Sequence, residues 1–129
     1  EFLNTYYKYY DKVEYFKDVS EYEKSLKDKC FIGILSNLSV LDKSRIDKQL
    51  NLSEYDYVFL SFEIGEVKPN KEIYEYVLNN VPFKGCDILF LDDAEPNINA
   101  ALSLGINACL VKGEDLDNIK LCVNKFLDE

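Results

Sequence analysis

Two acids stand side by side, Asp92-Asp93, after the apolar run Asp87-Ile-Leu-Phe-Leu91. Adjacent carboxylates repel each other unless a cation is near. A hard divalent ion with oxygen ligands relieves that repulsion, and Mg²⁺ takes only one or two carboxylates while keeping several waters. The plainer reading is a helix N-terminus, where Asp caps free N–H groups. Lys68, in Gly65-Glu-Val-Lys-Pro69, is one of 14 lysines, most of which read as solvated surface charges. In a loop near acids its ammonium could instead neutralise a phosphoryl oxygen as a point charge. Ser36-Asn37 follows a second apolar run, Phe31-Ile-Gly-Ile-Leu35. It reads either as a turn or as a hydroxyl and a backbone N–H set against a phosphate oxygen. The sequence has no histidine. That excludes Ser-His-Asp and Cys-His mechanisms within it, and any His-ligated metal. Carboxylates, Ser, Lys and Asn must carry whatever chemistry there is.

These residues need elements to position them. The short apolar runs Phe31–Leu35, Tyr57–Leu60, Asp87–Leu91 and Ala108–Val111 read as buried strands. Helical spacing follows each. Val40, Leu41, Ile46 and Leu50 mark one helix over residues 40–50. Ile73, Tyr74, Val77 and Leu78 mark another, with Pro69 in its first turn. Pro96 opens a third, stopped by Gly105, and the last runs from about Leu116 to Leu127. Ser20-x-x-Glu23 resembles a capping box opening a short helix through about Lys29. Residues 1–17, rich in tyrosine, give a ragged helix-like pattern. Alternation from residue 31 onward is the signature of right-handed βαβ units, with helices on both faces of a parallel sheet. Ligands of such sheets bind beyond the carboxyl ends of the strands. Ser36, Asn37, Asp92 and Asp93 sit at those ends, and Lys68 lies in the loop after the second strand.

Bulk properties narrow the choice. A chain of 129 residues with 47% apolar content suits one domain with a real core. Its 24 acids against 15 bases give a formal charge of -9. That balance speaks against nucleic acid and against anionic membrane surfaces, both of which need a basic face. A small phosphate remains compatible, held by a local lysine, a metal and backbone N–H groups. Cys30, Cys86, Cys109 and Cys122 form no C-x-x-C pair, so a zinc site is not expected. They read as reduced thiols of a cytoplasmic protein. No apolar run reaches the ~18 residues of a membrane span.

Taken together, three stretches resemble motifs two, three and four of the haloacid dehalogenase-like (HAD) hydrolases, over residues 18–125. They are Leu35-Ser-Asn37, Gly65-x-x-Lys68-Pro69, and Phe90-Leu-Asp-Asp-x-x-x-Asn97 with Ala100-Ala101 and Leu104-Gly105-Ile106. The stretch from Ser61 to Pro69, with Ile73-Tyr74, also resembles sugar-phosphate phosphatases of that superfamily, including glucose-1-phosphate phosphatase-like members. The resemblance implies a Rossmann-like α/β core and a Mg²⁺-dependent phosphatase acting on a small phosphorylated metabolite. It implies that Ser36 hydrogen-bonds the transferring phosphoryl group, with Asn37 beside it. It implies that Lys68 stabilises the charge of that group and of the nucleophile. Asp93 would ligate Mg²⁺, Asp92 would assist directly or through water, and Asn97 would support the metal loop from behind. Haloacid dehalogenation fits less well, because dehalogenases resemble Ser-Asn-x-x-Asp where this chain has Asp92-Asp93.

The resemblance stops at the first motif, an Asp-x-Asp on the central strand whose first Asp forms an aspartyl-phosphate. Asp115-Leu-Asp117 is the one Asp-x-Asp here, and it reads as the cap of the last helix. The nucleophile is therefore expected outside this sequence. Residues 1–17 read as a remnant of a helical cap, and 18–129 as a core lacking its first, central strand. Glu1 as the first residue and the absence of Met point to a fragment. A missing central strand would leave an apolar groove with open edges, so a homodimer or swapped assembly is expected. The alternative is a non-catalytic HAD-like module that binds phosphate or a protein partner.

Overall fold

Phe31–Ser36 and Ile88–Asp92 carry apolar residues at nearly every position, the pattern of strands covered on both faces. Both are strands in the computed structural model of the chain. The structure describes residues 2–5, 14–40, 52–112 and 115–128, with side chains from residue 18 onward. β1 (Phe2–Thr5), β2 (Phe31–Ser36), β3 (Tyr57–Leu60), β4 (Ile88–Asp92) and β5 (Asn107–Leu110) form one parallel sheet in the order β3-β2-β1-β4-β5. The helices among the described residues are α1 (Glu14–Ser25), α2 (Ser61–Ile64), α3 (Lys71–Asn80), α4 (Glu95–Ser103) and α5 (Leu116–Leu127).

Side chains alternate across a strand, so each buried strand feeds two cores. Ile88 and Phe90 of β4, with Leu35 of β2, pack against Ile73, Tyr74 and Val77 of α3 and Ile98 and Ala101 of α4. Leu89 and Leu91, with Ile32 and Ile34, pack on the other face against Val19 of α1 and Ile119 and Val123 of α5. The i, i+4 pairs Ile73/Val77 and Ile119/Val123 are the helix stripes that meet the sheet. Each fully buried side chain of this size contributes about 1.5–3 kcal/mol relative to an exposed one. Helices thus cover both faces, as the alternation of elements implied.

One expectation is corrected. Phe2–Thr5 is not helical and the core does not lack its centre: this segment is the central strand. Leu3 pairs with Ile32 on one side and Leu89 on the other. β2 and β4 do not pair with each other, so each would otherwise present a row of unanswered N–H and C=O groups. Satisfying both rows at once outweighs the weak local helical pattern. The groove from which self-association was expected is filled by β1. α1 starts at Glu14 rather than at Ser20 and ends at Ser25, with the chain turning through Lys29. Pro69 lies just ahead of α3, whose N-cap is Asn70. Of the helix expected over 40–50, all but Val40 lies outside the described residues.

β4 is reached through a tight approach. A Cβ on Gly85 would lie 2.7 Å from the carbonyl oxygen of Gly105, a backbone atom that cannot step aside. Gly85→Ala is expected to cost about 1–3 kcal/mol. In urea denaturation the midpoint falls while the slope stays the same.

Candidate functional site

The chain runs outward from β1 to β2 and β3, then crosses back to lay β4 on the other side of β1. Such a reversal opens a crevice at the carboxyl ends of the flanking strands. Ser36 ends β2 and Asp92 ends β4, so both border that place. Lys68 arrives from the loop between α2 and α3. Gly65 starts that loop in the left-handed region, with φ 86°, and its N–H closes α2 on the carbonyl of Ser61 at 2.8 Å.

Lys68 and Asp92 are the centre of the site. Their Nζ–Oδ2 separation is 2.9 Å and both side chains are 0% exposed. The ammonium also donates to the carbonyl of Leu35 at 3.0 Å and lies 5.4 Å from the centroid of the Phe90 ring. Burial lowers the Lys68 pKa to about 8, against the opposing pull of Asp92 and, more weakly, Asp93. Asp92 is equally well held. Oδ2 accepts from Lys68 Nζ and from Asn97 Nδ2 at 3.0 Å, and Oδ1 accepts the Ala94 N–H at 3.0 Å. A buried charge is tolerated only when it is paired and hydrogen-bonded, and here both conditions are met.

Around this pair the sequence-chosen residues are gathered. Asn37 meets the backbone of Lys68 twice: Nδ2 donates to its carbonyl at 3.0 Å and Oδ1 accepts its N–H at 2.8 Å. Ser36 is buried. Asn97, in the first turn of α4, reaches back to Asp92, and its own carbonyl accepts the Tyr74 hydroxyl at 3.0 Å. Burial, and then the charge of Asp92, raises the Tyr74 pKa above its ordinary value. Asp93 is half-buried next to Asp92. The two acids therefore differ. Asp92, expected near a metal, is covered and engaged with three N–H donors, while Asp93 is half-buried, with its Oδ1 shielded from solvent. The helix-cap reading of the pair is also partly present, since Ala94 at the N-cap of α4 has no side-chain cap and Asp92 takes its N–H.

The donor set fits one kind of metal. Among the described residues no group of three or more His, Cys, Asp or Glu could hold an ion. A closed protein cage is thus absent there. A half-buried carboxylate with a shielded Oδ1, beside one engaged by N–H donors, suits Mg²⁺, which takes one or two carboxylates and keeps waters.

Three participants were not picked out as site residues by sequence reasoning. Tyr74 and Phe90 looked like core aromatics, which they also are; their rings meet edge-on at 5.8 Å. The hint was a tyrosine at a buried helix position, whose hydroxyl must find a partner. Ser61 is the third: its Oγ accepts the Leu38 N–H at 2.7 Å and donates to the Leu38 carbonyl at 2.9 Å, fixing the segment after Asn37. Asp115 caps α5 as read, accepting the Asn118 N–H at 3.2 Å. The four cysteines form no disulfide, with Cys30 buried, Cys109 and Cys122 half-buried and Cys86 exposed. No helix among the described residues is long and apolar enough to cross a membrane.

The family model described as haloacid dehalogenase-like hydrolase matches residues 1–111. The pyrimidine 5'-nucleotidase YjjG of Escherichia coli (strain K12) is 31% identical over 81 residues, 60% of this chain and 36% of that protein. The chain spans about a third or less of the length of the curated relatives it matches first. A Corynebacterium glutamicum protein structure superposes with a TM-score of 0.77 at 19% identity, covering 98% of this chain and 94% of that one. A HAD family enzyme of Bacteroides thetaiotaomicron, solved in complex with magnesium and inorganic phosphate, gives 0.70 at 23% identity over 74% of this chain and 52% of that one. At these identities the two structures establish the fold.

Proposed function

This chain belongs to the haloacid dehalogenase-like hydrolases, and from that premise we propose that it is the phosphate- and Mg²⁺-binding part of a phosphomonoesterase for a small phosphorylated metabolite. A sugar phosphate is the first candidate, on the resemblance of residues 61–74. The observation that carries the reading is the buried Lys68–Asp92 pair, anchored by Asn97 at the reversal point of the sheet. Phosphoryl transfer passes through a loose transition state, for which a protein supplies mainly position and charge neutralisation. Lys68 supplies a positive charge held at a fixed point by Asp92 and Leu35. Ser36 and the backbone N–H of Asn37 would hold phosphoryl oxygens at the end of β2. Asp93 would hold Mg²⁺, with Asp92 and Asn97 steadying it from behind, and the ion would withdraw charge from the transferring group. An aspartyl-phosphate route would need its attacking carboxylate from elsewhere, because the central strand Phe2-Leu-Asn-Thr5 and the Tyr6-Tyr7 after it contain no acid. Four cysteines without a disulfide support a reducing, cytoplasmic setting.

One observation favours a second reading. The central place of the sheet is taken by a strand without a carboxylate, as expected of a module that binds phosphate or a protein and does no chemistry.

The test is Mg²⁺-dependent phosphate release from a panel of sugar phosphates. Three proteins are compared: this chain, the chain extended by the residues encoded upstream, and the extended form carrying Asp93→Asn. Turnover is expected only from the unmutated extended form, with Asp93→Asn reducing it about 100-fold or more. An extended form that binds Mg²⁺ and phosphate yet never turns over sinks the enzyme reading in favour of the binding module.

A further inference from the structure

We infer that the Asn37 side chain acts on Lys68 rather than on phosphate: it is a positioning residue that holds the Lys68 peptide so that its ammonium meets Asp92. Asn37 uses both ends of its amide on one residue, accepting the Lys68 N–H at 2.8 Å and donating to the Lys68 carbonyl at 3.0 Å. That reciprocal pair has the pattern of a strand-to-strand bridge, made by a side chain where β2 has ended. The residue two positions earlier takes the other end of the same lysine, as the Leu35 carbonyl accepts from Nζ at 3.0 Å. The end of β2 therefore grips Lys68 at three points spanning its backbone and its ammonium. Its neighbours leave few alternatives. Pro69 follows with no N–H to offer, and the nearest backbone bond of the loop runs from the Asn70 N–H to the Val67 carbonyl, past Lys68. Ser61 braces the far side of Asn37 through both backbone groups of Leu38. A lysine stem has four rotatable bonds, so an ammonium held only by its charge partner would sample many positions. Fixing the peptide removes most of that freedom before any ligand arrives.

The consequence for phosphate binding rests on the function proposed above; the positioning does not, and the two are separable. The chain, Asn37→Ala and Asn37→Asp are compared by NMR without phosphate, and then titrated with inorganic phosphate in the presence of Mg²⁺. In phosphate-free Asn37→Ala the Lys68 amide is expected to exchange about thirtyfold faster, the loss of two ordinary hydrogen bonds. The Lys68 side-chain ammonium resonances are expected to shift with it. Phosphate affinity then falls about tenfold. Lys68 resonances and exchange that stay put in phosphate-free Asn37→Ala overturn the inference, and a weakened phosphate affinity alongside them makes Asn37 a direct ligand. Lys68 resonances that move while neither protein binds phosphate uphold the positioning role and remove the proposed function. If Asn37→Ala does not fold, Asn37→Asp carries the test. It keeps an acceptor for the Lys68 N–H and loses the donor to the Lys68 carbonyl. The amide should stay protected while the carbonyl ¹³C resonance shifts; an unmoved carbonyl overturns the inference.

Discussion

Lys68→Met lowers the stability of this chain by about 3–5 kcal/mol, the cost of leaving one partner of a buried ion pair without the other. Methionine keeps most of the stem's volume, so the loss is electrostatic rather than a cavity. Asp92 stays covered, at 0% side-chain exposure, with the Ala94 N–H and the Asn97 amide as donors but no positive charge. Two neutral donors do not compensate a carboxylate taken out of water. The check is urea denaturation of Lys68→Met, Asp92→Asn and the double variant. Asn at 92 removes the charge and keeps an acceptor for Ala94, so the double variant is expected to recover much of the loss. A cost for Lys68→Met below about 1 kcal/mol would mean that the pair behaves like an exposed surface pair, and that the buried geometry is not what sets the charge of Lys68.

Phe90→Ala is expected to be as damaging, at about 3–5 kcal/mol. Phe90 is 2% exposed in the core between the sheet and helices α3 and α4. Its ring stands T-shaped to that of Tyr74, centroids 5.8 Å apart, and lies under the Lys68 ammonium at 5.4 Å. Alanine removes the packing of the ring and its attraction for the cation together. Phe90→Leu separates them: it fills most of the volume and gives up the π face, so a loss of about 1.5 kcal/mol or less is expected. Thermal unfolding reads the difference, with Phe90→Ala melting roughly 10–20 °C lower. Equal losses in the two variants would show that the aromatic face, not the volume, dominates.

The strands that carry the site were legible because they are covered on both faces and therefore apolar almost throughout. β2, β3, β4 and β5 fall within one residue of the runs read from the sequence. α5 and its Asp115 cap were legible from spacing and from a local bond. β1 was not. Four residues carry too little pattern of their own, and what makes them a strand is the pair of edges presented by β2 and β4. The site divides the same way. Ser36, Asn37, Lys68, Asp92 and Asp93 could be chosen by residue type and by their place at strand ends. Apart from Asn97, which the resemblance set behind the acids, most of their partners could not be read, because the bonds join residues distant in sequence. Lys68 to Leu35 spans 33 positions and Tyr74 to Asn97 spans 23. So the different employment of the two acids, one as direct counter-ion to Lys68 and one half-buried beside it, emerged only from the folded geometry.

The position of β1 also sets how the sheet shares load. β3 and β2 form one ladder, β4 and β5 another, and among the described residues no strand-to-strand rung joins the two except through Phe2–Thr5. Phe2–Thr5 thus acts as the backbone weld between two plates among the described residues. Lys68 and Asp92 close across that same line, since Lys68 is gripped from the β2 plate while Asp92 belongs to the β4 plate. The ion pair and the weld are two fasteners on a single seam, so loosening either one leaves more of the hold to the other.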